Sequence, residues 1–214
     1  MAERIVVIGA GGFGRETLDV IEAINAAGGA PRWEIVGVVD DAPAPIQLER
    51  LRARGYEHLG SVSAADDLLG RTAVVVGVGS PAVRSRLVSE LENRAASFAT
   101  LVHPNAVIGS QPAIGVGSVI CAGAQISTNV TIGRHVHVNP GAIIGHDSIL
   151  EDYVSMNPGS TVSGEVRVQT GSLVGAGAVV LQGRVVGAHS VVGASACVTR
   201  DVVGGATVKG VPAR

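Results

Sequence analysis

A six-residue repeat of aliphatic side chains runs through the second half of this chain. Sixteen consecutive Ile, Leu, Val or Met residues lie six positions apart, and chance would produce such a run with a probability on the order of 10⁻⁸. This period matches neither an α-helix nor a single strand, but it does match a short strand followed by a turn. Three such units make one coil of a parallel β-helix, with each marked residue directed toward the axis. The marked residues are Ile108, Ile114, Ile120, Ile126, Ile132, Val138, Ile144, Leu150, Met156, Val162, Val168, Val174, Val180, Val186, Val192 and Val198.

The positions around each marked residue support the same interpretation. The residue two before it is small or Val in nearly every unit, as a narrow interior requires, and Pro112 and Arg184 are the departures. We expect Arg184 to point outward. The residue after it is often glycine, where we expect turns that need a positive φ. These glycines are Gly109, Gly115, Gly133, Gly145, Gly175, Gly187 and Gly193. The repeat continues without interruption from 108 to 198, and its period does not determine the handedness of the coil.

Composition narrows the class of protein. Aromatic residues make up only 2% of the chain, which suits a narrow prism, and the net charge of −2 gives no electrostatic reason to expect nucleic acid or an anionic membrane as a partner. Cys121 and Cys197 are not separated by a whole number of coils, so we expect no disulfide between them. From the residues at the amino terminus we expect neither a signal peptide nor a membrane span. These features predict a cytoplasmic protein.

The first hundred residues follow a different pattern. Apolar strands alternate with amphipathic helices, which predicts a small parallel α/β domain over 1–102 and a β-helix domain with a C-terminal cap over 103–214. We predict strands at 4–8, 33–39, 73–78 and 97–102, a helix at 15–27 whose buried face carries Leu18, Ile21, Ile24 and Ala27, and a second helix that begins at Pro81.

A glycine-rich turn joins the first strand to the first helix. Gly9, Gly11 and Gly14 match the dinucleotide fingerprint in its usual place, and Asp40 ends the next strand. The domain is roughly half the size that a complete dinucleotide site needs. The turn therefore predicts either a phosphate-bearing ligand at the helix N-terminus, NAD, or only close packing of helix and strand. Asp40 and Asp41 are either hydrogen-bond acceptors for a ligand or a helix cap.

His146 has the best chemical setting among the six histidines. Asp147 follows it directly, and Gly164 lies one coil above it. A neutral imidazole is the usual proton acceptor near pH 7, and a neighbouring carboxylate holds its tautomer. The alternative is an ordinary solvated histidine.

Two other polar groups are candidates of lower rank. Asn139 and Asn157 are one coil apart and form either a structural ladder or part of a ligand site. His135 and His137 flank one strand and could converge at a subunit interface, but no third ligand with suitable spacing accompanies them. We therefore expect no metal site.

Several motifs together resemble one family. Residues 9–16 (GAGGFGRE), the strand end Val39-Asp40-Asp41, the segments 101–104 (LVHP) and 145–147 (GHD), and the terminal 210–214 (GVPAR) are similar to the NeuD/PglD-type sugar acyltransferases. The resemblance covers essentially the whole chain. It implies a left-handed β-helix, a homotrimer, acetyl-CoA as donor, and an amino or hydroxyl group of a nucleotide-linked sugar as acceptor. It also implies that the N-terminal domain, similar to half a Rossmann fold, holds the nucleotide rather than NAD.

The resemblance assigns roles to residues by position. It makes His146 the general base, Asp147 its orienting carboxylate, and the Gly164 N–H a donor to the thioester carbonyl. Two departures from the family pattern are Ser155, where some relatives carry a second histidine, and Phe13, where many carry histidine. The substrate-binding residues expected are Gly9, Gly11, Gly12, Phe13, Gly14, Asp40, Asp41, Gly79, Arg84 and Asn139, and the residues expected to bind acetyl-CoA are Gly164, Gly175, Ala176, Ala194, Lys209 and Pro212.

The function expected is therefore acetyl-CoA-dependent N-acetylation of a nucleotide-linked amino sugar. An O-acetyltransferase of sialic acid or a related sugar is the near alternative. A non-catalytic trimer that only senses a nucleotide is a second class, and it would not need a base. Serine acetyltransferase is disfavoured, because its N-terminal region is usually helical.

Overall fold

The computed structural model describes residues 1–94 and 96–214, and they form two compact units, Met1–Pro104 and Asn105–Arg214. The first unit is an α/β unit and the second is a parallel β-helix. The fold is thus the α/β plus left-handed β-helix class that the sequence predicts. No helix among the described residues is long and apolar enough to cross a membrane.

The first unit is built on a parallel sheet of four strands in the order β2-β1-β3-β4. Its strands are β1 (Glu3–Ile8), β2 (Trp33–Val39), β3 (Ala73–Val76) and β4 (Ser97–Phe98), followed by β5 (Leu101–Val102). Its helices are α1 (Gly12–Ala27), α2 (Pro45–Ala53), α3 (Asp66–Leu69) and α4 (Pro81–Glu92). Since β1 lies between β2 and β3, the chain reverses its winding direction at the carboxyl end of β1. Such switch points are where open α/β sheets bind ligands.

Apolar strand residues form the core of this unit. Ile5, Val6 and Val7 of β1 are fully buried, as expected for a central parallel strand covered on both faces. Leu18 and Ile21 of α1 are buried as predicted, but Ala27 is exposed because the helix ends there. The predicted strand 97–102 is divided into β4 and β5, and α2 was not predicted.

The second unit consists of two-residue strands joined by four-residue turns. These strands are β6 (Val107–Ile108), β7 (Ala113–Ile114), β8 (Val119–Ile120), β9 (Gln125–Ile126), β10 (Thr131–Ile132), β11 (His137–Val138), β12 (Ile143–Ile144), β13 (Ile149–Leu150), β14 (Ser155–Met156), β15 (Thr161–Val162), β16 (Arg167–Val168), β17 (Leu173–Val174), β18 (Val179–Val180), β19 (Val185–Val186), β20 (Val191–Val192), β21 (Cys197–Val198) and β22 (Thr207–Val208). Each strand pairs in parallel with the strand three units later, 18 residues on, until the last coil. The rod is therefore a three-sided prism.

The two interior positions predicted from the repeat are confirmed. The marked residues from Ile120 to Val198 are at most 2% exposed, and so are the small residues two positions before them. Four of those small residues are serines whose hydroxyls bond the next coil. Ser118 Oγ, for example, donates to the Gly133 carbonyl at 2.9 Å and accepts from the Val136 N–H at 3.0 Å. Arg184 is the outward-pointing exception, and its guanidinium lies 3.6 Å from Asp201.

The expected role of the glycines after the marked residues is wrong. None of them has a positive φ. Six of the seven lie so close to the coil above that a Cβ would clash, as at Gly145, where it would be 2.4 Å from the Ser163 carbonyl carbon, and at Gly193 the contact would be tight. The left-handed residues occur two positions later instead, at every turn from 111 to 195. Seven are glycines and eight are not, and the eight are Gln111, Asn129, His135, Asp147, Tyr153, Glu165, His189 and Ser195.

The last coil is shorter than the others. Val186 pairs with Val202 and Val192 with Val208, so the spacing falls from 18 to 16 residues. The terminal loop then turns back over β21, where the Cys197 N–H donates to the Gly210 carbonyl at 3.0 Å and the Ala213 N–H donates to the Cys197 carbonyl at 2.7 Å. This loop closes the carboxyl end of the rod.

Candidate active site

His146 and Asp147 lie together at a turn of the prism. His146 Nδ1 is 2.7 Å from Asp147 Oδ2, and both side chains are about half exposed, at 50% and 47%. Asp147 is one of the left-handed residues, with a φ of 58°. Aspartate tolerates this region better than most residues do.

Asn129 lies one coil below Asp147 and completes the group. Its Nδ2 donates to Asp147 Oδ1 at 3.1 Å, so the two oxygens of the carboxylate have different partners. Hydrogen bonds from His146 and Asn129 hold the pKa of Asp147 below its ordinary value. Asp147 is therefore ionised at neutral pH, and its Oδ2 is placed to accept a hydrogen bond from an N–H at Nδ1 of His146. Asn129 was not predicted from the sequence, although its spacing of 18 residues from Asp147 was a usable signal.

The other nitrogen of the imidazole faces Gly164. A Cβ at residue 164 would lie 2.5 Å from both Nε2 and Cε1 of His146, so only glycine leaves this side of the ring uncovered. Among the hydrogen bonds of the described residues, none is donated by the Gly164 N–H. A basic nitrogen and a backbone donor thus lie side by side, which suits proton removal together with stabilisation of an oxyanion.

The turns of the rod form three edges. The His146 edge contains the turns that follow β6, β9, β12, β15 and β18, and Gly164 belongs to it. The Asn139 edge contains the turns that follow β8, β11, β14, β17 and β20. The Glu151 edge contains the turns that follow β7, β10, β13, β16 and β19.

The other residues expected around acetyl-CoA and the sugar lie mainly on the Asn139 edge. Asn139 is buried, and its Nδ2 donates to the Met156 carbonyl at 2.9 Å, which ties it into the rod. Ala176 and Ala194 are exposed one coil apart, and Gly175 leaves room for the Ala194 backbone. One chain therefore does not bring Asn139, Gly175, Ala176 and Ala194 to His146.

The two terminal residues expected at the cofactor divide between these edges. Lys209 lies above Gly193, whose Cβ position is 3.0 Å from Lys209 Cβ, and so extends the Asn139 edge. Pro212 lines a small cavity of about 70 Å³ with Thr199, Arg200 and Arg214 at the top of the His146 edge.

On the Glu151 edge, side chains hydrogen-bond to backbone groups of the same edge. Glu151 accepts from the Thr170 N–H at 3.0 Å, and Gln169 accepts from the Ala188 N–H at 3.1 Å. Burial works against ionisation of Glu151, but hydrogen bonds from Arg167 and Thr170 outweigh it and lower the pKa. Of the two histidines considered for a metal, His135 is buried on this edge and stacks on Tyr153 with ring centroids 5.6 Å apart, and His137 is buried in β11.

A second candidate site lies in the first unit. A cavity of about 300 Å³ opens at the carboxyl ends of β1, β2 and β3, at the switch point of the sheet. Its lining combines apolar walls with two carboxylates and one arginine, and it comprises Ile8, Gly9, Asp40, Asp41, Ala42, Val62, Val78, Val83, Arg86 and Leu87.

Asp40 holds the loops of this cavity in place. Its Oδ2 accepts from the Ala10 N–H at 2.7 Å, and its Oδ1 accepts from the Ala42 N–H at 3.0 Å. Asp41 Oδ1 accepts from the Val62 N–H at 2.8 Å, and within residues 1–94 and 96–214 no hydrogen bond to Asp41 Oδ2 is seen. Both carboxylates line the cavity as a ligand site would need, but Asp41 keeps more of its accepting capacity.

The glycines of the N-terminal turn divide into two groups. Gly9 and Gly14 allow α1 to pack on the sheet, because a Cβ at Gly14 would lie 1.8 Å from the Gly9 carbonyl oxygen. Gly11 and Gly12 have open space, with nothing nearer to a Gly11 Cβ than Gln47 Nε2 at 3.9 Å. Phe13, in the same turn, is half-buried.

Arg84 and Arg86 of α4 have different surroundings. Arg84 is fully buried and its Nη1 donates to the carbonyls of Val78 (2.8 Å) and Gly79 (3.2 Å), so it shapes the loop after β3. Arg86 is exposed and lines the cavity with Val83 and Leu87. Val83, Arg86 and Leu87 are spaced at i, i+3 and i+4 of a helix, which is a sequence signal that they share one face.

Comparison with known proteins relates the chain to one family. Residues 4–91 match the family described as the PglD N-terminal domain. Over 163 residues the chain is 30% identical to the GDP-perosamine N-acetyltransferase of Escherichia coli O157:H7, covering 76% of this chain and 71% of that protein.

Solved structures agree over nearly the whole length. PerB from Caulobacter crescentus, determined in complex with CoA and GDP-perosamine, is 30% identical with a TM-score of 0.84, covering 98% of this chain and 95% of PerB. The acetyltransferase domain of PglB from Neisseria gonorrhoeae FA1090, in complex with acetyl coenzyme A, is 28% identical with a TM-score of 0.84, covering 100% and 99%.

The chain shares its fold, a small α/β unit followed by a hexapeptide-repeat β-helix, with these acetyltransferases and is an acyltransferase enzyme. The chain belongs to the PglD-type sugar acyltransferases, as its motifs predict.

Proposed function

We propose that this protein transfers an acetyl group from acetyl-CoA to the amino group of a nucleotide-linked amino sugar. The observation that carries the proposal is the open pair of His146 and Asp147 beside Gly164, on a β-helix whose relatives include a GDP-perosamine N-acetyltransferase. The named relatives favour nitrogen over oxygen as the acceptor atom.

In the proposed reaction His146 Nε2 takes the proton that the attacking amine loses. The amine nitrogen forms a bond to the thioester carbon and the C–S bond breaks. His146 returns the proton to the departing sulfur, so CoA leaves as the thiol and the imidazole is neutral again. Asp147 accepts from Nδ1 and stabilises the imidazolium that forms, and Asn129 holds the carboxylate. The Gly164 N–H stabilises the developing oxyanion.

The separation of the edges supports a homotrimer. The His146 edge carries the base, whereas the Asn139 edge carries Gly175, Ala176 and Ala194. A second copy that placed its Asn139 edge beside the His146 edge would complete a groove for acetyl-CoA. A closed ring of three copies would give three equivalent sites.

The first unit has the proposed role of binding the nucleotide. Its cavity, at the switch point of the sheet, has apolar walls for a heterocyclic ring and exposed backbone at Gly11 and Gly12 beside the start of α1 for phosphates.

Product analysis tests the proposal. The full-length protein is incubated with acetyl-CoA and a nucleotide-linked amino sugar, and we expect free CoA and an acetylated sugar nucleotide in equal amounts, with an amide bond visible by NMR. An ester product would show an O-acetyltransferase. The absence of turnover with any nucleotide amino sugar, despite nucleotide binding, would support the non-catalytic trimer instead.

A further inference from the structure

Glu165 lies one coil above Asp147, at the same position of its turn. The strands that precede the two turns pair in register, so the two backbones are about 4.8 Å apart along the rod. Glu165 has a φ of 59° and Asp147 a φ of 58°, and the Glu165 N–H donates to the His146 carbonyl at 2.8 Å. The side chains of Glu165 and Asp147 therefore leave the rod in the same direction.

The Glu165 carboxylate is exposed, and among the described residues no hydrogen bond or ion pair is made to it. The other four acidic side chains of residues 105–214 all have partners. These are Asp147 with His146 and Asn129, Glu151 with Arg167, Asp152 with Arg134, and Asp201 with Arg184. Glu165 is therefore the acidic side chain of this segment whose negative charge remains for a ligand.

The turn around Glu165 is open where the proposed reactants meet. Gly164, which precedes Glu165, leaves one side of the His146 ring uncovered and has an N–H that remains for a ligand. Gly183, one coil above Glu165, is exposed and has no atom within 4 Å of its Cβ position. A substrate group bound between His146 and Gly164 would thus be within reach of the glutamate side chain.

The acceptor of the proposed reaction changes its charge when it is acetylated. An aliphatic amine is protonated near neutral pH, as the lysine side chain is, whereas the amide product is neutral. Two carboxylates on neighbouring coils repel each other, and an ammonium group between them relieves the repulsion and donates hydrogen bonds to them. A hydroxyl group supplies no positive charge. A carboxylate at this place therefore favours an amino acceptor over a hydroxyl acceptor and over the amide product.

We propose that Glu165 is a positioning residue that holds the protonated amino group of the acceptor sugar beside His146. This inference rests on the proposed function, because it places the acceptor of that reaction. The bound ammonium loses one proton to solvent before the nitrogen attacks, and the amine loses its second proton to His146. Glu165 takes no proton, and it accepts hydrogen bonds from the N–H groups of the acceptor.

Glu165→Gln removes the charge with little change of shape. Gln111 occupies the equivalent position three coils below with a φ of 56°, so glutamine fits this backbone. Calorimetric titration of the full-length protein compares two probes. One is the amino sugar nucleotide that the product analysis shows to be acetylated, and the other is the same nucleotide sugar with a hydroxyl in place of the amino group. Glu165→Gln should weaken binding of the amino probe about 3- to 10-fold and leave binding of the hydroxyl probe nearly unchanged.

Two further variants control for the charge and for its place. Glu165→Asp keeps the carboxylate and should keep most of the affinity for the amino probe. Glu34→Gln makes the same chemical change on an exposed residue of β2 and should alter neither affinity. Added salt should lower the ratio of amino to hydroxyl affinity in the unaltered protein but not in Glu165→Gln, because salt screens an exposed charge pair.

The results separate this inference from the proposed function. Loss of affinity by the same factor for both probes in Glu165→Gln would assign Glu165 to the fold or to the sugar ring and overturn the inference. Unchanged affinity for the amino probe would overturn it as well, and the proposed transferase would stand. If the product analysis found no amino sugar nucleotide that is acetylated, the proposed function and this inference would both be wrong.

Discussion

At the scale of single residues, the geometry of the site depends on one unusual backbone conformation. The φ of 58° at Asp147 turns its carboxylate back toward the preceding His146, and Asn129 has the same conformation one coil below, with a φ of 57°. The sequence predicted the histidine and the aspartate as a pair from their adjacency. It did not predict Asn129, because the left-handed position of the turn was assigned to the wrong residue of the repeat.

The base is tested by substitution. His146→Ala should lower kcat by about 10²–10⁴-fold with little change in the affinity for acetyl-CoA, because a general base acts mainly in the transition state. Asp147→Asn should cost less, since it disturbs orientation and basicity but keeps the imidazole. Steady-state kinetics and a CoA binding titration measure both effects. If His146→Ala retained more than about a third of the wild-type kcat, another group would have to take the proton.

The stabilisation of the Asp147 carboxylate by Asn129 can be tested by titrating Asp147. Because the Asn129 amide stabilises the carboxylate, Asn129→Ala should raise the pKa of Asp147, so that protonation on acidification begins at a higher pH. The pH at which Asp147 is lost as an acceptor for His146 should rise accordingly. Carbon-detected NMR of the Asp147 carboxyl provides the measurement, with Asn157→Ala on the Asn139 edge as a control. An unchanged titration in Asn129→Ala would show that this hydrogen bond is negligible in solution.

At the scale of elements, the six-residue repeat predicted the strands and the interior of the rod because both depend on burial, which has a clear period. Close packing between coils was not predictable in the same way. The glycines after the marked residues are required by the neighbouring coil, and the sequence shows only that a small residue stands there. Likewise, Arg84 and Arg86 look equivalent in sequence, and only the packing of α4 separates the buried one from the one in the cavity.

Substitutions at the two kinds of glycine in the N-terminal turn should have different effects, one on stability and one on binding of the sugar nucleotide. Gly14→Ala places a methyl group against the Gly9 carbonyl and should destabilise the first unit by at least about 1–3 kcal/mol. Gly11→Val has room, so its melting temperature should stay near that of the wild type while KM for the sugar nucleotide rises and KM for acetyl-CoA does not. Thermal unfolding and two-substrate kinetics measure these changes. Equal increases in both KM values for Gly11→Val would contradict a local role in nucleotide binding.

At the scale of the whole molecule, the division of the proposed site between two edges of the rod predicts that several copies assemble. The His146 and Asn139 edges carry different parts of the proposed site, so activity should require contact between copies. Sedimentation equilibrium should give about three times the mass of the 21.5 kDa chain at micromolar concentration. Mixing an inactive His146→Ala protein with one whose Ala176 is replaced by Trp should restore part of the activity, because mixed trimers contain some intact grooves. A fully active monomer would exclude a shared site.

Because the coils stack regularly, equivalent turns are evenly spaced along the axis of the rod. Equivalent turns on one edge are separated by roughly 4.8 Å, the distance between paired strands. Arg200 lies three coils above His146 on the same edge, or about 14 Å along the axis. Residues 164 and 165 occupy the same backbone positions as His146 and Asp147, since Glu165 has a φ of 59°. A histidine–aspartate pair could therefore be moved up by one coil if glycine replaced Gln182, as Gly164 stands above His146, and asparagine replaced Asp147, as Asn129 stands below it. Its distance from the carboxyl end of the rod would then shorten by one step. In this architecture the catalytic side chains and their distance from the carboxyl end of the rod can thus be altered independently.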